Sequence, residues 1–213
     1  TPTPHNLPAP LTSFVNRTQD IAAVTALLRR SDVRLLSLIG PPGIGKTRLS
    51  IHAAERLLPD FPEGVWFVDL APITDPALAL AAVARQAGVR ELVNMPWSER
   101  FRAKLGEQRV LLVLDNCEQV IDAAPEVSEL LRACQGLKVL ATSRVPLHVY
   151  GEHEYAAPPL SLPPPGTTPD QMLAFEAVQL FVARVRQHQP AFAVDAANAG
   201  EVADILYRLE GIP

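Results

Sequence analysis

An α/β fold, with a mainly parallel five-stranded sheet flanked by helices and a partial helical subdomain after it, is predicted by three features of the chain. Apolar runs of strand length, at residues 35–39, 110–114 and 137–142, alternate with segments whose apolar residues recur at helical spacing. The first run leads into Gly40-Pro-Pro-Gly-Ile-Gly-Lys-Thr47, which has the spacing G-x-x-x-x-G-K-[ST]. The third feature is Asp115, a carboxylate at the end of the second run. Ligands of open α/β sheets sit at such C-terminal strand ends.

The elements follow in chain order. Residues 1–10 carry four prolines and read as an extended, partly disordered arm. Residues 19–30 form an amphipathic helix with Ile21, Val24, Leu27 and Leu28 on one face and Thr18 as its N-cap. After the strand at 35–39 and the glycine loop, Leu49, Ala53 and Leu57 mark a helix whose N-terminus the loop feeds. Residues 65–70 make a second strand, rich in β-formers. Helices at 77–87 and 98–106 precede the strand at 110–114, the latter with Phe101 and Leu105 turned inward. Short helices at 119–123 and 126–134 follow, with Pro125 placed for a first helical turn. The strand at 137–142 runs into Thr142-Ser143-Arg144, and residues 152–156 supply a short fifth strand. A proline-rich connector leads to helices at 170–187 and from 200 to 209. The predicted organisation is therefore an arm at 1–10, a nucleotide-binding domain at 11–160, and a connector with a truncated helical subdomain at 161–213.

The loop's residue types answer to phosphate chemistry. Many backbone N–H groups converge on a polyphosphate only where side chains are few and positive φ is tolerated, which Gly43 and Gly45 permit. The partial positive charge of a helix start favours the same anion, and Lys46 adds a full charge near the terminal phosphates. Thr47 offers a hydroxyl to a magnesium ion bridging to the nucleotide, and Asp115 can hold that ion through water. Arg144, just past a strand end, is a candidate for reaching a γ-phosphate. Many phosphate-loop ATPases place a glutamate after the strand-end aspartate. Here Asn116 occupies that position and cannot accept a proton at neutral pH, so slow hydrolysis is expected. Glu118, two residues on, is an alternative proton acceptor, though its first reading is as part of a solvated first helical turn.

Composition narrows the class. A chain of 213 residues with 48% hydrophobic content supports one to two domains. Its net charge of −4 gives no general basic footprint for nucleic acid, and no apolar run reaches membrane-spanning length. A cytoplasmic protein is expected, with Cys117 and Cys134 as reduced, buried residues.

The whole pattern resembles the NB-ARC-like branch of the STAND signalling ATPases, and most closely the ATPase modules of large bacterial transcriptional regulators of the LuxR/AfsR-like kind. Phe14, Val15 and Arg17 match the family's entry motif, with Asn16 in place of its glycine; LLVLDNCEQV at 111–120 and Thr142-Ser143-Arg144 match closely; and Gly211-Ile212-Pro213 resembles the start of its Gly-Leu-Pro-Leu motif. The resemblance implies a P-loop NTPase fold that binds ATP or ADP with Mg2+. It implies an adenine-side contact from Val15, Asn16, Arg17 and Pro213, and a phosphate side formed by Gly40, Pro42, Gly43, Ile44, Gly45, Lys46, Thr47, Arg48 and Arg144. Lys46, Asp115, Asn116 and Arg144 would form the catalytic group, with Thr47 and Asp115 on the metal. It further implies partners in further helical, winged-helix and sensor domains and a nucleotide-dependent homo-oligomer, with no nucleic-acid or membrane binding by this segment. The expected function is a slow ATP/ADP switch.

Two other classes compete. A GTPase is disfavoured by the lack of an Asn-Lys-x-Asp motif and of a D-x-x-G pattern at Asp115, and a metabolite kinase by the lack of a visible acceptor site. A scaffold with a degenerate nucleotide site is disfavoured by intact Lys46, Thr47 and Asp115.

Overall fold

The computed structural model describes residues 2–9, 17–90 and 94–213. The chain divides into two compact units, one of Thr1–Pro8, Gln19–Pro41 and Lys46–Ala156, the other of Ala9–Thr18, Pro42–Gly45 and Ala157–Pro213.

The first unit is built on five strands, β1 (Leu35–Ile39), β2 (Gly64–Asp69), β3 (Val110–Asp115), β4 (Leu137–Ser143) and β5 (Glu152–Ala156). They pair in parallel throughout, in the order β2-β3-β4-β1-β5. A strand buried on both faces reads as a near-continuous apolar run, and β1, β3 and β4 are such runs, interrupted by Ser37 in β1, by Lys138 in β4 and by the polar residues that end β3 and β4. Leu36, Leu38, Leu111, Val113 and Leu140 face one way, onto α1 (Thr18–Arg29) and α2 (Lys46–Leu57). Leu35, Leu112, Leu114, Val139 and Ala141 face the other way, onto α3 (Ala79–Gln86), α4 (Trp97–Leu105) and α5 (Ala124–Ala133). Phe101 and Leu105 are buried as predicted, and Pro125 stands in the first turn of α5. Cys117 and Cys134 are free and buried. Residues 117–123 form a 3-10 helix kinked at Val120 in place of the expected α-helical turn.

The N-terminal arm is extended but is not a loose end. Val65 donates to the Pro4 carbonyl at 3.0 Å, Asn6 Nδ2 donates to Phe67 O at 2.9 Å, and Phe67 N donates to Asn6 Oδ1 at 2.6 Å. The arm thus supplies partners to the exposed edge of β2, the usual liability of an edge strand. Proline content signalled the extension; the pairing depends on a strand some sixty residues later and leaves no local mark.

The second unit contains α6 (Pro169–Met172), α7 (Glu176–Arg186) and α8 (Ala199–Arg208), packed around Leu160, Met172, Val178, Val182, Val202 and Leu206. The single helix predicted over 170–187 is broken, with Phe175 extended at φ −94° and ψ 134°. Ser161 explains the break. Its hydroxyl accepts from Glu176 N at 3.0 Å and its carbonyl accepts from Ala177 N at 3.2 Å, so the connector takes amides that a continuous helix would use. Leu160 N in turn donates to Gly211 O at 2.8 Å, and Gly211 has φ +70°, where an added Cβ would lie 2.4 Å from the Leu160 carbonyl oxygen. Gly211→Ala is expected to destabilise this unit by about 1–3 kcal/mol. Thermal unfolding would check it; an unchanged midpoint would contradict it.

Candidate nucleotide-binding site

Sheet order brings the ends of β3, β4 and β1 side by side, so Asp115, Arg144 and Gly40 emerge from neighbouring strands; Gly40 N donates to Ser143 O at 3.3 Å. Asp115 is 4% exposed and is the centre of this group. It accepts from the Thr47 hydroxyl at 2.8 and 3.0 Å, from the Thr142 hydroxyl at 2.5 Å and from Asn116 Nδ2 at 3.1 Å. Burial pushes its carboxyl above the ordinary carboxylate range, and the two hydroxyls pull the other way. Asn116 has left-handed φ of 60°, and its amide also donates to Asp69 Oδ1 at 3.1 Å. Asp69 closes β2 directly opposite Asp115 in the register.

Lys46 opens α2 and folds back on the loop, donating to Gly40 O at 2.8 Å and Pro41 O at 3.0 Å. Burial holds its ammonium below the usual lysine range, and Glu118 opposes that shift. Glu118 is not the solvated residue that its place in a first helical turn suggested. Its side chain is 14% exposed, Oε1 pairs with Arg144 Nε at 3.0 Å, and Oε2 is buried without a hydrogen-bond partner. The Arg144 side chain is 55% exposed.

Within the second unit, Arg17 is buried and donates through Nη2 to Ile44 O at 2.9 Å and to Pro158 O at 3.0 Å. Gly43 and Gly45 have φ of +80° and +90°, the left-handed backbone that turns loop amides inward. Ile212 Cγ2 would lie 3.4 Å from a Cβ on Gly43, and Pro213 Cγ 3.8 Å from one on Gly45, so the chain's last residues lie against the loop tip. Pro42 is exposed, and Arg48 is half-buried on α2. Val15 and Asn16 lie outside the described residues.

Sequence reading missed Asp69, Thr142 as a partner of Asp115, and the Glu118–Arg144 pair. Only Asp69 left a signal, as a second strand ending in aspartate. For magnesium, hard oxygen donors and few protein ligands are the requirement, the remainder coming from phosphate and water. The Thr47 hydroxyl and Asp115 carboxylate fit that chemistry. Among the described residues no group of three or more His, Cys, Asp or Glu could hold a metal alone.

Residues 29–157 match the family model described as AAA domain. The chain is 40% identical over 181 residues to a Mycobacterium tuberculosis protein provisionally named HTH-type transcriptional regulator Rv0890c, covering 84% of this chain and 19% of that protein. It is 31% identical over 158 residues to regulatory protein AfsR of Streptomyces coelicolor, covering 67% of this chain and 16% of that protein. The chain thus spans under a fifth of the length of either regulator. Among solved structures, Cdc6p from Pyrobaculum aerophilum is similar with a TM-score of 0.53 at 15% identity, over 84% of this chain and 52% of that one. At that identity the likeness is one of fold. No helix among the described residues is long and apolar enough to cross a membrane.

Proposed function

The chain belongs to the AAA domain family of P-loop ATPases, and from that premise we propose that it is an ATP/ADP-binding regulatory switch of the STAND signalling type, one module of a larger transcription-regulating protein, with slow hydrolysis. One observation carries the reading. The position after Asp115 is an amide, Asn116, tied to Asp69 and Asp115, while the nearby carboxylate of Glu118 is engaged with Arg144. A site arranged in this way supports binding of a polyphosphate more readily than rapid activation of water.

The chain's own groups divide the work. Loop amides and the start of α2 bind phosphate oxygens, and Lys46 exchanges its loop carbonyls for them. When bound, magnesium supplies charge neutralisation at the phosphates. Thr47 and Asp115 are the residues that would hold it, and Thr142 keeps the Asp115 carboxylate oriented. A ligand shifts two conformations only by its differential affinity for them, so a γ-phosphate contact must exist in one state alone. Arg144 is the residue proposed for that contact: Glu118 holds its guanidinium at 3.0 Å in the present arrangement, and its release would let it take a phosphate in the other.

Calorimetry of ATP, ADP and GTP on nucleotide-free protein tests the reading. Adenine nucleotides are expected to bind more tightly than GTP, and equal binding of all three would overturn it. Asp115→Asn keeps partners for the two threonine hydroxyls but removes the charge. It should weaken ATP binding by about tenfold in magnesium, the scale of one charge-assisted contact, and leave binding in EDTA unchanged. Equal behaviour in both buffers would remove Asp115 from the metal.

A further inference from the structure

We propose that the cleft at the N-terminal edge of the sheet, lined by Arg34, Arg109 and Lys138, is a second ligand site that takes a small phosphorylated metabolite. Arg34 precedes β1, Arg109 precedes β3 and Lys138 lies at the start of β4, whereas the nucleotide residues follow those same strands. The lengths of β1 and β3 put the two sites about 15–20 Å apart. The cleft has a volume of about 430 Å³, within the range of small-molecule sites. Leu28 and Phe61 give it an apolar side, and Ser31 and Gln135 add polar groups.

The cleft is predominantly cationic. Four cationic side chains line the cleft against one acid, Asp60, which Arg29 already holds at 3.0 Å. Of the neighbouring acids, Asp32 is paired with Arg30 at 2.6 Å, while Glu63 accepts from the Arg109 backbone amide at 3.0 Å and keeps its charge. A chain of net charge −4 has thus gathered an excess of positive charge in one place. Burial, then the neighbouring Arg34 and Arg109, hold the Lys138 ammonium below the usual lysine range, and Asp32 opposes that shift.

The cleft also keeps hydrogen-bond donors to spare. Arg34 spends Nε and Nη2 on the Leu137 and Cys134 carbonyls, leaving Nη1. Lys138 spends two of its three hydrogens on the carbonyls of Leu28 and Arg30 at the end of α1. These bonds give both residues structural work. Arg109 has none: its guanidinium has no partner among the described residues. A Cβ on Gly136 would lie 2.3 Å from Gln108 O and 2.5 Å from Glu107 O, so the approaches to β3 and β4 are in backbone contact and fix Arg109 beside Lys138. Three convergent cations with donors to spare match a dianionic phosphate better than a single carboxylate.

The test is an amide-resolved NMR titration of the whole chain, saturated with ADP and magnesium, using inorganic phosphate and glycerol 3-phosphate as probes. Saturable shifts are expected at residues 28–34, 109 and 135–138. Arg109→Ser should weaken phosphate binding at least about fivefold, the lower end for a charge-assisted hydrogen bond discounted for exposure, and Arg109→Glu should abolish it. ADP affinity should be unchanged in both variants. Shifts that do not saturate, shifts insensitive to Arg109, or binding of a DNA duplex but not of the small phosphates at these residues would each overturn the assignment.

Discussion

Lys46→Ala is expected to weaken ADP and ATP binding together, by about 30- to 150-fold, equivalent to roughly 2–3 kcal/mol for a charge-assisted contact in a half-buried site. The parallel loss follows from geometry. Lys46 stands in the first turn of α2 with its ammonium on the Gly40 and Pro41 carbonyls, at the rim of the loop proposed to take the phosphates of both nucleotides. Burial already disfavours its charged form, so an anion gains from restoring a full counter-charge there. Truncation also frees the two carbonyls to solvent, a minor cost on an exposed loop. Calorimetry with each nucleotide measures the effect. A variant that binds both like the parent would remove Lys46 from the site, and a loss confined to ATP would place it on the γ-phosphate alone.

Arg144→Ala is expected to lower ATP affinity by about ten- to 150-fold while leaving ADP within about threefold, by the same arithmetic for one charge-assisted bond. Arg144 follows β4, whose neighbour β3 carries Asp115, and the proposed switch takes its guanidinium to the phosphate end of the site. In the present arrangement Glu118 holds it at 3.0 Å, and that pair must open before a phosphate is contacted. Removing the competitor should therefore have the opposite sign: Glu118→Gln is expected to raise ATP affinity by about threefold, the modest scale of a partly exposed ion pair. Arg144→Lys should recover part of the loss, since it keeps the charge without the planar fork. Removing Arg144 also strips the counter-ion from a buried carboxylate, so stability falls as well, but a stability effect alone would move ATP and ADP equally. Equal losses for the two nucleotides would make Arg144 a structural residue.

The parts of the fold legible in the sequence were those determined locally. The apolar runs of β1, β3 and β4, the loop spacing from Gly40 to Thr47 and the strand-end Asp115 announce themselves within ten residues, because burial on both faces and phosphate binding each restrict residue type position by position. What escaped depends on partners far along the chain. Thr142 becomes the partner of Asp115 only because β3 and β4 pair, Ser161 breaks the predicted helix by capping residues fifteen positions away, and Asn6 bonds to a strand beyond α2. Glu118 shows the same limit in the site itself. Its position in a first helical turn suggested exposure, whereas the neighbouring strand end supplies an arginine that draws it inward.

The central claim, a nucleotide switch with slow turnover, is tested most directly by steady-state phosphate release from ATP in magnesium by the unmodified chain. The account predicts turnover below about 0.1 per second, because the position following Asp115 is an amide that cannot accept a proton and the nearby Glu118 carboxylate is paired with Arg144. Sustained turnover in the range of roughly 1–100 per second that is usual for kinases would contradict it.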